Sequence, residues 1–191
     1  MNLTEEVLIQ KLSERNEIAF RQLVNEQKNR VYNVALGIVQ NQEEAEDIAQ
    51  EVFIQVFESI DQFKGQSKLT TWIYRITVTH ALEWLRRRKR KKRFGYMIRL
   101  FQSDANEPGV DVPDFVHPGV QLENQEKARL LFRTIDALPE NQKVAFTLHK
   151  IEDLSYEEIA GVMGVSLGAV ESLIHRARVN LQKKLKALRK F

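Results

Sequence analysis

Two sets of charged side chains stand out by type and spacing. Residues 86 to 93 read Arg-Arg-Arg-Lys-Arg-Lys-Lys-Arg, eight cations in succession. Like charges a few ångströms apart repel even in water, so such a run suits a polyanion partner, and nucleic acid is the commonest one. A solvated linker or a targeting tract has the same composition, and the neighbouring sequence must decide between these readings. The second set is Glu43, Asp47 and Glu51, which lie four apart. On a helix they share one face and repel one another, a strain that an Arg-rich partner or simply water would relieve.

Other chemistries find no support. His80, His117, His149 and His175 are scattered, with no pair at metal-ligand spacing among acids. The chain has no cysteine, which removes disulfides, thiolate zinc sites and thiol catalysis, and suits a reducing cytoplasm. Gly161 and Gly164 follow no strand, and no Gly-rich segment ends in Lys-Ser or Lys-Thr, so a phosphate loop is not expected. With no acid, base and nucleophile that converge, neither an enzyme nor a cofactor is expected. The first residues lack a basic region followed by an apolar run, and nothing approaches the roughly 18 to 20 apolar residues of a membrane span. The expectation is a soluble cytoplasmic protein without a small-molecule substrate.

These side chains need a scaffold, and composition points to helices. Of 191 residues, 43% are hydrophobic and 29% charged, with only 8 Gly and 4 Pro, so the expected fold class is all-α, in two small helical domains joined by a linker. Charge separates along the chain: residues 1–85 carry net −5, 86–93 net +8, 94–126 net −5 and 127–191 net +5. From Asn16 to Val39 apolar residues recur at three- and four-residue intervals, which predicts an amphipathic helix. Asn41, followed by Glu43, Glu44, Glu46 and Asp47, predicts the start of a second helix that ends near Asp61. Phe63 to Leu69 reads as a loop around Gly65, and from Thr70 a third helical pattern leads into the basic run. The first domain is therefore assigned to residues 1–94. Residues 95–122, with Pro108, Pro113, Pro118 and several acids, read as a linker with little to bury, either a spacer or a mimic of nucleic acid in a basic channel. The second domain, 123–191, is periodic over Leu122 to Ala137 and then predicts helices over about 140–151, 155–163 and 167–188.

Within this second unit, Ser155-Tyr156-Glu157-Glu158 is a capping box, Gly164 suits a left-handed turn, and Ser166 suits the cap of the next helix. Two helices joined by so tight a turn are an αα-hairpin with a charged outer face or a helix-turn-helix DNA reader. Val170 and Ile174 face inward, which leaves Glu171, Ser172, His175, Arg176 and Arg178 outward. In a DNA reader Glu171 could accept from a cytosine amino group while Arg176 and Arg178 meet phosphates. Leu173 fits either the core or a thymine methyl.

With these motifs in order, the chain resembles the bacterial extracytoplasmic-function sigma factors, the group IV family that has sigma regions 2 and 4 only. The residues that carry the likeness are Glu44-Ala-Glu-Asp-Ile-Ala-Gln-Glu-Val-Phe53, Phe63-Lys-Gly-Gln-Ser-Lys-Leu-Thr-Thr-Trp-Ile-Tyr-Arg-Ile76, Leu154-Ser-Tyr-Glu-Glu-Ile-Ala160 and Gly168-Ala-Val-Glu-Ser-Leu-Ile-His-Arg-Ala-Arg178. The resemblance implies binding to core RNA polymerase, −35 duplex recognition by the second domain, and −10 recognition with strand opening by the first. It implies polymerase contacts at Asp47, Gln50, Glu51 and Phe53. It places −10 DNA on Phe63, Lys64, Gly65, Ser67, Lys68, Trp72, Thr79, His80, Glu83, Arg86 and Arg87. A flipped-out base in the Phe63–Leu69 loop needs a small residue such as Gly65, and Lys64 and Lys68 supply charge for phosphates. Trp72 fits a wedge at the melting junction or a core residue.

Departures from the family pattern fall at Thr79, Glu83, Ala169, Glu171 and Leu173. Ala169 and Leu173 lack hydrogen-bonding ability, which implies a −35 preference unlike that of members with basic residues there. The resemblance further implies a protein that is monomeric when free and is controlled by an anti-sigma factor, frequently membrane-embedded. Two rival readings are a stand-alone helix-turn-helix regulator, which as a dimer would need a self-complementary apolar surface, and a sigma-like polymerase adaptor that does not melt DNA.

Overall fold

The computed structural model describes residues 4–101 and 132–188, and every regular element among them is helical. Four helices form an N-terminal bundle: α1 (Glu5–Ser13), α2 (Glu17–Val39), α3 (Gln42–Ser59) and α4 (Leu69–Phe101). A helical stretch at 132–136 leads into α5 (Glu140–Ile151), α6 (Tyr156–Met163) and α7 (Leu167–Leu188).

Short polar side chains set the starts. The Asn16 side chain accepts from the Ala19 amide at 3.0 Å and Asn41 does the same for Glu44, so each satisfies an N–H that a helix start leaves unpaired. Between α2 and α3, Gln40 takes the left-handed conformation (φ 56°, ψ 37°) and returns its N–H to the Leu36 carbonyl. Helix α1 has no counterpart among the helices expected from the sequence. Its Leu8 and Leu12, four apart, are buried, and Glu5 accepts from the Leu69 amide at 3.0 Å. A carboxylate thus sits at the N-terminus of α4, where the helix dipole favours it.

The main difference from the sequence reading lies at the end of α4, which continues seven residues into the segment assigned as linker. Tyr-Met-Ile-Arg-Leu-Phe (96–101) contains no proline, and the first residue that stops a helix comes only at Pro108. The rest of the linker reading, 102–122, and the periodic stretch before 132 lie outside the described residues.

Helix α2 is the hub, packing on α3 and α4 along its length and on α5 at its C-terminal end. One apolar core runs through both bundles, from Leu23, Ile38, Val52 and Ile73 to Leu148, Ile159 and Ile174. Each such residue, fully buried, contributes about 1.5–3 kcal/mol. A second, smaller cluster of Ile135, Leu138, Ala177 and Leu181 holds α7 to the 132–138 segment.

Candidate nucleic-acid interface

The helix-turn-helix is built from its caps. The Glu158 amide donates to Ser155 Oγ at 3.2 Å while Glu158 Oε2 accepts from the Ser155 amide at 3.1 Å, which completes the capping box. The Ser155 amide and, after it, the Lys68 ammonium hold the Glu158 carboxyl below its ordinary pKa. Gly164 ends α6 with φ 66°, and Ser166 Oγ accepts from the Ala169 amide at the start of α7. The axes of α6 and α7 turn through 102°, within the range of DNA-reading pairs. Ile159, Val162, Val170 and Ile174 are buried, and Glu171, Ser172, His175, Arg176 and Arg178 are all exposed, as the spacing required. Leu173 is half-buried against the core. Val165 and Leu167, which the sequence reading passed over, stand exposed at the turn and at the first residue of α7. An apolar pair at the start of a helix suits thymine methyl groups, and its signal was position beside the cap rather than periodicity.

In the N-terminal bundle, the loop from Phe63 to Lys68 leads into α4. Gly65 has φ 66° and nothing within 4 Å of where a Cβ would stand, so the loop opens to solvent there. Phe63 and Trp72 face one another with ring centroids 5.4 Å apart, and both pack partly on the core. Lys64 is exposed, Ser67 half-buried, and Lys68 reaches Glu158 at 3.2 Å. Further along α4, Thr79, Glu83, Arg86 and Arg87 are exposed. The Thr79 hydroxyl donates to the Arg75 carbonyl at 2.8 Å, and Glu83 pairs with Arg87 at 3.4 Å. Of the basic run, Arg88 lies over the Trp84 ring and Lys89 meets Glu140 at 2.7 Å.

Two expected residues sit differently from their companions. On α3, Asp47, Gln50 and Glu51 are exposed in register with Glu43, but Phe53 is buried in the core against the neighbouring helices, with 8% of its surface exposed. Its place in the apolar stripe with Val52 and Val56 accounts for this. His80 is half-buried in the groove between α3 and α4, its Nδ1 3.0 Å from Glu51 and its Nε2 2.5 Å from Gln55. The structure therefore joins a residue expected to meet DNA to one expected to meet polymerase. Among the described residues no group of three His, Asp or Glu is placed to hold a metal ion, and no single helix is long and apolar enough to cross a membrane.

The family model for Sigma-70 region 2 matches residues 23–91, and that for Sigma-70 region 4 matches residues 128–181. The chain is 33% identical over 186 residues to the ECF RNA polymerase sigma-E factor of Haemophilus influenzae, with 97% of each chain covered. It is 32% identical to the sigma-E factor of Escherichia coli K12 over 97% of this chain and 96% of that one. Among solved structures the fold is similar to CnrH, determined in complex with the cytosolic domain of CnrY (TM-score 0.68, 21% identity, 96% of this chain and 97% of that one). It is also similar to the sigma factor RpoE determined with the anti-sigma factor NepR from Bartonella quintana (TM-score 0.65, 23% identity, 87% and 96% covered). A helical region 2 bundle followed by a region 4 helix-turn-helix defines the class as transcription initiation factors. Within it, the chain belongs to the extracytoplasmic-function RNA polymerase sigma factors. As such it binds core RNA polymerase and directs initiation at promoters through −35 recognition and through −10 recognition with strand opening.

Proposed function

We propose a division of this work among the exposed faces just described. The outward face of α7, Glu171, Ser172, His175, Arg176 and Arg178, reads the −35 duplex in the major groove, with Val165 and Leu167 at the entry. The Phe63–Lys68 loop, Trp72 and the exposed side of α4 take the opened −10 strand, and Arg86 to Arg93 neutralise phosphates upstream. Asp47, Gln50 and Glu51 form the polymerase face, and Phe53 supports it from beneath. The Glu51–His80 contact fixes the orientation of the polymerase face relative to the −10 helix.

The observation that carries this reading is the order of exposed faces: acids along α3, a glycine-opened loop, a cationic α4 and a polar outer face on α7, all fixed by one core. The same reading takes the protein as cytoplasmic, with the segment that follows α4 connecting the two regions, and as subject to an anti-sigma factor, since the similar sigma factor RpoE was determined with the anti-sigma factor NepR.

Transcription reconstituted from core polymerase of the source bacterium on a library of its upstream DNA tests the assignment. Specific transcripts are expected with the wild-type chain and should vanish with Asp47→Lys/Glu51→Lys. Polymerase binding without transcripts would favour the non-melting adaptor, and DNA binding that ignores polymerase would favour the stand-alone regulator.

A further inference from the structure

Helix α1 ends in a turn that glycine ordinarily makes. The Asn16 amide returns to the Lys11 carbonyl and the Arg15 amide to the Leu12 carbonyl, both at 3.0 Å, which is the Schellman pattern. Its left-handed position favours a residue without a Cβ, yet the residue here is Arg15, with φ 59°. The strain places the side chain against the end of α3. Its guanidinium donates to the Phe57 carbonyl, donates to Asp61 Oδ2 at 2.7 Å in the 3-10 turn Ile60–Gln62, and lies over the Phe57 ring, 5.0 Å from the centroid. Arg15 and Asp61 are 40% and 55% exposed, so the pair adds little to stability and its effect lies in geometry.

The other end of α1 reaches the far side of the same loop. Glu5 Oε1 accepts from the amide of Leu69, the first residue of α4, at 3.0 Å. The Phe63–Lys68 loop is therefore held just before it starts and just after it ends, by α1 in one case and by the turn that closes α1 in the other. Inside the loop there is little to set its shape. Among the described residues no backbone–backbone hydrogen bond involves residues 64–67, Gly65 has open space around it, and Ser67 Oγ reaches only the carbonyl of its neighbour Lys68. A span with so little internal bonding takes its form from where its ends are fixed.

We propose that α1 is a brace for the −10 loop, with Glu5 and Arg15 as positioning residues. Arg15 holds the end of α3 and Glu5 the start of α4, so that the span between them keeps the shape a flipped-out base requires. This rests on the assignment of the Phe63–Lys68 loop to the opened −10 strand. Neither residue supplies a phosphate contact: Glu5 is an anion, and the Arg15 guanidinium is already engaged by Phe57 and Asp61. The brace thus governs which base the loop accepts, and leaves the general affinity for single strands to the cations of the loop and α4.

The test uses the full chain assembled with core polymerase of the source bacterium. Short fluorescein-labelled single strands of random sequence are selected on this holoenzyme, and the preferred strand is compared with the unselected pool as a probe. Arg15→Gly suits the left-handed turn and removes only the side-chain contacts. Glu5→Ala removes the acceptor, whereas Glu5→Gln keeps an oxygen for the Leu69 amide. We expect Arg15→Gly and Glu5→Ala to bind the preferred strand roughly fivefold to tenfold more weakly, the order of one misplaced stacked base, and Glu5→Gln to recover to within about twofold of wild type. Binding of the unselected pool and of core polymerase should stay within about twofold throughout, and Arg15→Gly should melt within about 4 °C of wild type, because relief of strain offsets the lost pair. Equal losses for the preferred strand and the pool, losses that follow melting temperature, no loss, or a Glu5→Gln chain as weak as Glu5→Ala would each overturn the brace. Tighter binding by Glu5→Ala would overturn it as well, since the carboxylate would then stand where a phosphate goes. Phe63→Ala/Lys64→Ala reports on the underlying reading. If that variant binds the preferred strand as wild type does, the loop assignment fails and the brace with it, whereas a loss there without one in Arg15→Gly and Glu5→Ala removes the brace alone.

Discussion

The two bundles are held together by different means. The N-terminal one is closed by three long helices whose contacts are mostly with one another, and Leu23, Val31, Val52 and Ile73 lie inside it with almost no exposure. The C-terminal one divides its apolar residues. Ile135, Leu138, Ala177 and Leu181 form a small cluster of their own, while Val144, Ala145 and Leu148 join the core that continues into the first bundle. The difference teaches that the larger unit holds most of its contacts within itself and that the smaller one leans on it.

Truncating the shared core gives the largest expected effect. Leu148→Ala should lower stability by about 2–5 kcal/mol in urea titration, with the transition of the C-terminal helices moving to lower denaturant first. If both bundles shifted together by the full amount, the asymmetry between them would be disproved. Local devices within the C-terminal bundle come next. Gly164→Ala meets open space but keeps φ at 66°, so backbone strain alone should cost about 1 kcal/mol, and Ser155→Ala should cost about as much by removing the cap. Thermal melts of the two variants measure this directly.

The two carboxylates that reach across the interface should respond to pH in opposite senses. Burial raises the Glu152 carboxyl above its ordinary value, despite the opposing bond from Tyr74 and the charge of Arg30. Its protonated form is the better tolerated in the folded state, so the penalty is absent below the ordinary carboxylate pKa and complete above the raised one. Glu152→Gln should therefore gain on wild type as pH rises through that window, with its amide able to keep the Tyr74 bond. Glu158 is lowered, so its stabilisation is present above the ordinary value and fades as pH falls through the lowered one. Stability measured across pH 3 to 7 for Glu152→Gln and Glu158→Gln should show slopes of opposite sign relative to wild type, and like slopes would refute the assignment. The smallest effect belongs to Lys68→Ala. An exposed pair of this kind contributes under about 1 kcal/mol, so chemical denaturation should barely register the change.

Much of this architecture was legible in the sequence, and particular residues show where the reading stopped. The capping box at Ser155, the turn at Gly164 and the inward Val170 and Ile174 are local consequences of spacing, and the structure places them as expected. Phe53 lies in an acidic, motif-bearing stretch, and its i, i+3 relation to Val56 places it in the core of the free chain. His80 has no sequence neighbour that foretells Glu51 and Gln55, because those partners lie on another helix. The contact between the bundles had a signal that went unread: six successive apolar residues at the end of α2 exceed what one bundle can cover. The first helix escaped notice because it is short and its buried face amounts to Leu8 and Leu12.

The same apolar end of α2 matters while the chain is being made. The N-terminal bundle is complete in sequence once α4 has left the ribosome, but α5, which covers Val34–Val39, ends only at Ile151, 50 residues beyond Phe101. At roughly 5–20 residues per second, translation leaves that surface uncovered for about 3–10 seconds in every nascent molecule. During that interval the newborn chain carries an apolar patch that the finished protein conceals.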